Sequence, residues 1–167
     1  CRDLNRTRLL VVDSRCGRVL EEGSRSMLDE GEWNWLERHL EGDFDHILIA
    51  TSDPFLLAPG LHHLERWGEA LCAGAWGERF AEWGEKLRQE LDFDHWAAFG
   101  ESFERLAGMI ERAASGGYGP APASITVLSG DVHHAYLAEV AFRRQAGVTS
   151  AVHQAVCSPF RNALDDQ

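Results

Sequence analysis

Three residues that could do chemistry stand almost side by side. Asp131, His133 and His134 follow an apolar run, Ser124-Ile-Thr-Val-Leu-Ser129, and a single glycine, Gly130. A carboxylate and an imidazole two residues apart can both reach one cation, or two neighbouring ones, because the loop backbone fixes their relative position. The chemistry this suggests is metal binding, with Asp131 and His133 as ligands. His134 suits three tasks: a further ligand, an orienter of a ligand, or a proton donor to a leaving group. As the first residue of a strand it would instead point away from its neighbour and serve structure alone. Asp, His and Gly are also ordinary turn residues.

Elements on both sides must position this cluster. The β-branched run before Gly130 reads as a buried strand, and glycine at its end is expected to take the sharp turn that throws Asp131 and His133 onto the carboxyl edge of a sheet. Ligand sites of α/β proteins lie at that edge. The apolar stretch Ala135 to Phe142 reads as a second strand, so the polar cluster is expected to be packed between the two. Burying such groups without partners would cost several kcal/mol.

Earlier in the chain, Arg8-Leu-Leu-Val-Val-Asp13 reads as a short buried strand followed by a polar loop, Ser14 to Arg18. Arg15 and Arg18 carry the planar fork that matches phosphoryl oxygens, and the same fork pairs equally well with carboxylates. From Asp29 to Glu41, Trp33, Leu36 and Leu40 recur at helical spacing, with acidic residues at the start. Phe44 to Ala50 is a second strand, ended by Thr51-Ser52-Asp53-Pro54. Strand, helix, strand in this order implies a crossover unit in a mainly parallel sheet. Between Leu61 and Ala114 no strand-like run occurs. Helical spacing at Leu64, Trp67 and Leu71, and again at Trp96, Phe99, Phe103, Leu106 and Ile110, predicts two or three helices forming a cap. His62, His63 and the tryptophans could line an entrance there, although at this spacing they serve a core equally well. Ser115 to Pro122 is a returning loop, and Ala135 to Arg143 and Ser150 to Cys157 are expected to pair as a hairpin around Gln145-Ala146-Gly147.

Composition narrows the function classes. The 167 residues correspond to about one domain, and 44% hydrophobic residues with six tryptophans exclude a disordered chain. A formal charge of -11 argues against nucleic acid or an anionic membrane as partner. It also opposes a phosphate substrate unless bound cations reverse the local field. No stretch approaches the length of a membrane span. Cys1, Cys16, Cys72 and Cys157 form no C-x-x-C pair, and buried thiols are expected at Cys72 and Cys157. The sequence opens at Cys1 without methionine, which reads as a fragment. Export or retention in the cytoplasm is left open by this sequence.

Ser129-Gly-Asp-Val-His-His134 resembles the terminal metal-binding motif of the alkaline phosphatase D-like (PhoD-like) branch of the calcineurin-type metallophosphoesterases. Val11-Val-Asp-Ser-Arg-Cys-Gly-Arg18, Met27-Leu-Asp-Glu-Gly-Glu-Trp-Asn-Trp-Leu36, Ile49-Ala-Thr-Ser-Asp-Pro-Phe55 and Cys157-Ser-Pro-Phe-Arg-Asn162 look similar to the same branch, in order along nearly the whole chain. The resemblance implies an α/β fold, part of an α-β-β-α sandwich with a helical insertion at 61–114, of which residues 1–167 form the C-terminal portion. It implies hydrolysis of phosphate esters by a water activated on two or more divalent or trivalent metal ions. Asp131 and His133 would be ligands, Arg15 and Arg18 substrate contacts, and His134 a catalytic residue. Where the wider superfamily often has a metal-binding histidine before a proline, this chain has Ser52 and Asp53 before Pro54. Arg161 and Asn162 fall in the last similar segment without a role of their own. Most family ligands lie in the half of the domain that precedes the Asp-Ser-Arg segment, so the missing N-terminal half is the expected partner, and this chain alone is expected to be inactive.

A reading from another class stands beside this one. Asp131, His133 and His134 would then form a satisfied hydrogen-bond cluster in a non-catalytic phosphoesterase-like module. A mononuclear zinc hydrolase fits less well, because no H-E-x-x-H or three-histidine pattern occurs.

Overall fold

A six-stranded sheet organises the described residues. The computed structural model describes residues 1–21, 24–56, 96–132, 134–142 and 147–158. In chain order these form β1 (Arg2–Leu4), β2 (Thr7–Val11), α1 (Glu30–Leu40), β3 (His46–Ala50), a 3₁₀ turn (Trp96–Ala98), α2 (Gly100–Ala114), β4 (Ser124–Ser129), β5 (Ala135–Glu139) and β6 (Ala151–Cys157). The spatial order is β1-β2-β3-β4-β6-β5. β2, β3, β4 and β6 run parallel, and β1 and β5 close the two edges antiparallel. The fold is thus α/β, and its parallel strands all end at one carboxyl edge.

Register explains which side chains meet the helices. Leu10 pairs with Ile49, Ile49 with Val127 and Val127 with Gln154, so these side chains share one face. Ile47, Ile125 and Val152 form the next row of that face, and all pack in one core with Trp33, Leu36 and Leu40 of α1 and Leu106, Ile110 and Ala113 of α2. Both helices therefore cover the same side. The opposite face holds Leu9, Leu48 and Thr126 in one row and Val11, Ala50, Leu128, Ala155 and Leu137 in the next. Val11 is 60% and Leu137 73% exposed there. Parallel sheets are normally covered on both faces, and among the described residues neither helix lies on this one.

α1 begins where its chemistry dictates. Asp29 caps it by accepting the Glu32 N–H at 2.7 Å, a contact worth about 1 kcal/mol. Glu30 grips Arg105 of α2 through both oxygens, at 2.6 and 3.1 Å, which ties the two helices together and holds the Glu30 carboxyl below its usual range. Trp33 meets Trp96 edge to face at 6.2 Å.

Several sequence expectations need correction. β1 is an additional strand, three exposed residues joined to β2 through Asn5 in a left-handed conformation (φ 56°). Its shortness left no periodicity to read. The strand expected from Ala135 to Arg143 ends at Glu139, and it is an exposed edge rather than a buried wall. Its pairing with β6 is as expected, while residues 143–146 of the intervening turn lie outside the described residues. Cys157 is exposed, because it falls on the bare face, and Cys72 lies outside the described residues. In the expected helical region, Trp96, Phe99, Leu106 and Ile110 are core residues between β3 and β4. Residues 57–95, including His62, His63 and Trp67, lie outside the described residues.

Candidate functional site

Three strand ends converge at the carboxyl edge. After β2 the chain continues one step beyond the strand, with Val12 N–H donating to Ala50 at 2.8 Å, and then turns through Asp13 to Arg18. Asp13 shapes this turn: its Oδ1 accepts the N–H groups of Cys16 at 2.8 Å and Arg15 at 3.2 Å. These backbone donors, Cys16 first, hold the Asp13 carboxyl below its ordinary value. The same residue's N–H is taken by Glu32 of α1 at 2.7 Å, which fixes the loop to the helix. The turn leaves Ser14 buried and projects Arg15 and Arg18 toward the ends of β3 and β4.

The loop after β3 supplies the anchor. Asp53 is 4% exposed, and its Oδ2 accepts Arg18 Nη2 at 2.8 Å while Arg18 Nε donates to the Ser14 carbonyl at 2.6 Å. A chain of hydroxyls ends on the same carboxylate. Trp96 Nε1 donates to Thr51 Oγ1 at 3.1 Å, and Thr51 donates to Ser14 Oγ at 2.7 Å. Ser14 Oγ, which also accepts the Ser52 N–H at 3.1 Å, is left to donate to Ser52 Oγ at 2.7 Å, and Ser52 Oγ reaches Asp53 Oδ2 at 3.3 Å. Every dipole in this chain points its positive end toward Asp53, which suits a buried carboxylate.

Asp131 stands on the loop after β4, half-exposed. The turn expected at Gly130 is made by Asp131, whose φ is 60°. Gly130 instead leaves room for a close approach, since a Cβ there would come to 3.1 Å from the Cys157 carbonyl. The loop is pinned by Gly130 N–H to the Ser52 carbonyl at 3.1 Å and by Val132 N–H to Ser158 Oγ at 3.0 Å. Asp131 Oδ2 pairs with Arg15 Nη2, which also lies 3.7 Å from Asp53 Oδ1. Burial of the cluster between two strands, expected from the sequence, is overturned: Asp131 and His134 are exposed because β5 is an edge. His134 contacts the Val132 carbonyl through Nδ1 and stacks on Tyr136 with centroids 5.4 Å apart.

Of the five residues singled out by sequence, the structure brings Asp131, Arg15 and Arg18 together around Asp53. His134 follows on the same loop, against Val132 and Tyr136, and His133 lies outside the described residues, as do Arg161 and Asn162. Ser14, Thr51 and Ser158 were not read as site residues; small hydroxyl side chains at strand ends carry no pattern that marks them. A metal centre can be tested against these positions. Asp131 presents a half-exposed carboxylate at this edge, paired with the Arg15 guanidinium. Among the described residues no group of three or more His, Cys, Asp or Glu side chains gathers as a complete centre would require.

The fold and edge site define an α/β protein with a polar, arginine-rich cluster where parallel strands end. This fold is similar to the solved structure of PhoD, with a TM-score of 0.55 at 14% identity over 91% of this chain. The chain spans 26% of the length of that structure. No protein-family model and no curated protein matches the sequence. Among the described residues no helix is long and apolar enough to cross a membrane.

Proposed function

We propose that this chain is part of a PhoD-like phosphoesterase domain that hydrolyses phosphate esters, and that it contributes one portion of the site. The observation that carries the reading is the meeting of Asp131, from the loop after β4, with Arg15, from the loop after β2, at one carboxyl edge of a PhoD-like fold. Asp131 and His133 are the ligand positions. Metal ions held there would supply an activated water and neutralise phosphoryl charge. Arg15 is exposed enough to reach phosphoryl oxygens, whereas Arg18 is committed to Asp53 and Ser14 and acts as a strut. His134, exposed next to Asp131, is the candidate proton donor to the leaving group.

The bare sheet face supports the same placement. An apolar row from Val11 to Leu137 is what the inner face of a sandwich presents to a second layer, and the PhoD structure extends well beyond the length matched here. Among the described residues too few ligands gather for the chain to act alone. The test is hydrolysis of p-nitrophenyl phosphate and bis-p-nitrophenyl phosphate by the full-length protein, before and after chelation and reloading with Ca, Mn, Fe or Zn ions. Metal-dependent turnover of either ester is expected, and its absence with every ion overturns the reading.

One observation favours a non-catalytic module instead: Asp53 and Asp131 each hold an arginine partner. In that case substitution of Asp131 in the full-length protein leaves ester hydrolysis and ion binding unaltered.

A further inference from the structure

On the core face of the sheet, between α2 and β6, lies a cavity of about 200 Å³. Phe103 and Ile110 of α2, Val127 of β4, Val152 of β6 and Phe142 line it. Phe55, from the loop after β3, lines it too and stacks on Phe103 with ring centroids 4.5 Å apart. These walls are tied to one another without help from an occupant. Val140 N–H donates to the Val152 carbonyl at 2.9 Å, and Gln154 of β6 grips the backbone of Leu56 through both ends of its amide.

Polarity and size decide what such a space can hold. Gln154 is the polar side chain at its wall, and its amide is already engaged with Leu56 and Tyr136. His153, one position earlier on β6, turns its side chain to the opposite face by strand alternation. Among the described residues no Asp, Glu, Lys or Arg lines the cavity. Water needs about two to four polar partners, and these side chains offer it none. An apolar cavity of about 150 Å³ stays dry and takes up benzene. Left empty, a void of this size forfeits contacts that amount to a large part of a domain's net stability.

We propose that this cavity is a binding site for an uncharged apolar ligand, one aromatic ring or a short branched hydrocarbon, held by contact alone. The inference is independent of the phosphoesterase reading. Ala107 sets the room available, because it lies on the same face of α2 as Phe103 and Ile110 and lines the cavity with the smallest side chain.

Toluene binding to the full-length protein, followed by calorimetry and by the rise in melting temperature that a bound ligand brings, tests this. Saturable one-to-one binding is expected, with benzoate, the same ring carrying a charge, at least about ten-fold weaker. Ala107→Leu should weaken toluene binding by at least about ten-fold and melt at or above the wild-type temperature, since its side chain fills the space the ring would take. Absence of saturable binding by the wild type overturns the proposal. If Ala107→Leu then also melts lower, the space is occupied by another part of the chain, or by a second copy where sedimentation shows association. Equal affinity for benzoate, or unchanged toluene affinity in Ala107→Leu, would place the ring elsewhere and overturn the proposal equally. Circular dichroism checks the fold of the variant, and Ala107→Val, a smaller step, gives the same comparison if the leucine does not fold.

Discussion

Asp53 divides its two oxygens between two arginines, with Arg18 Nη2 at 2.8 Å on Oδ2 and Arg15 Nη2 at 3.7 Å on Oδ1. The two contacts differ in worth because they differ in burial. Arg18 is 12% exposed beside a 6% exposed carboxylate, so its removal leaves an uncompensated charge under the loop. Arg18→Ala should destabilise the fold by about 3 kcal/mol. Arg15→Ala should cost less than about 1 kcal/mol. Urea unfolding of both variants checks the contrast, and equal effects would show that the burial argument is mistaken.

The conformation of Asp131 separates its structural from its functional contribution. At φ 60° only glycine, asparagine and aspartate sit with ease. Asp131→Asn should therefore leave stability within about 0.5 kcal/mol of the wild type. Asp131→Val, β-branched in a left-handed position, should lose about 1 to 2 kcal/mol. In the full-length protein Asp131→Asn should lower phosphate-ester turnover by at least about 100-fold, more than loss of a ligand's supporting contact would cause. Retained turnover in a folded Asp131→Asn protein removes this residue from the reaction.

What could be read in the sequence depended on how far each feature was repeated locally. α1 was legible because Trp33, Leu36 and Leu40 state its period and Asp29 its start. β3 and β4 were legible as apolar runs closed by turn residues. Asp131 was legible as a charged residue at a strand end. Its exposure was not, because the length of β5 and its place at the sheet edge depend on pairing, not on its own composition. Asp53 was noticed for its position before Pro54, yet its role depends on Arg18 and Ser14, more than thirty residues earlier in the chain. Long-range pairs of this kind have no periodic signature.

Gln154 illustrates the same point and gives a third prediction. It is fully buried on the core face of β6 and satisfies the loop after Asp53, accepting Leu56 N–H at 2.6 Å and donating to the Leu56 carbonyl at 2.6 Å and to Tyr136 Oη at 2.8 Å. Tyr136 donates to the same carbonyl, and burial raises its phenol above its ordinary value. Gln154→Leu keeps the volume but strands the Leu56 N–H, so a loss of about 2 to 3 kcal/mol is expected. A shift in the urea midpoint without a change in slope would be the signature.

Tyr118 gives the fold an alkaline limit. Its hydroxyl donates to Glu37 Oε1 at 2.9 Å, and burial, followed by that carboxylate, pushes its pKa from 10.0 up to about 12. The folded state therefore holds the proton more tightly than the unfolded chain. This contribution to stability is complete below pH 10 and disappears as the pH rises toward about 12. Tyr118→Phe should flatten that part of the stability profile. Thermal melts at intervals between pH 9 and about 12 should show a steeper fall in the wild type than in the variant.

The bare face of the sheet yields the prediction that bears most directly on the proposed architecture. Val11, Ala50, Leu128, Ala155 and Leu137 form a continuous row across five strands, and Leu137 on β5 is the most exposed of them. If a second layer covers the row in the full-length protein, Leu137→Ala there removes buried apolar surface and leaves a cavity, at a cost of about 2 to 3 kcal/mol. In the 167-residue chain on its own the same change touches only exposed surface and should cost less than about 0.5 kcal/mol, while reducing self-association through the open face. Urea unfolding of both lengths, with light scattering on the shorter, distinguishes the cases. Equal small effects in the two lengths would mean that the face is bare in the complete protein as well, and would remove the sandwich from the account of this fold.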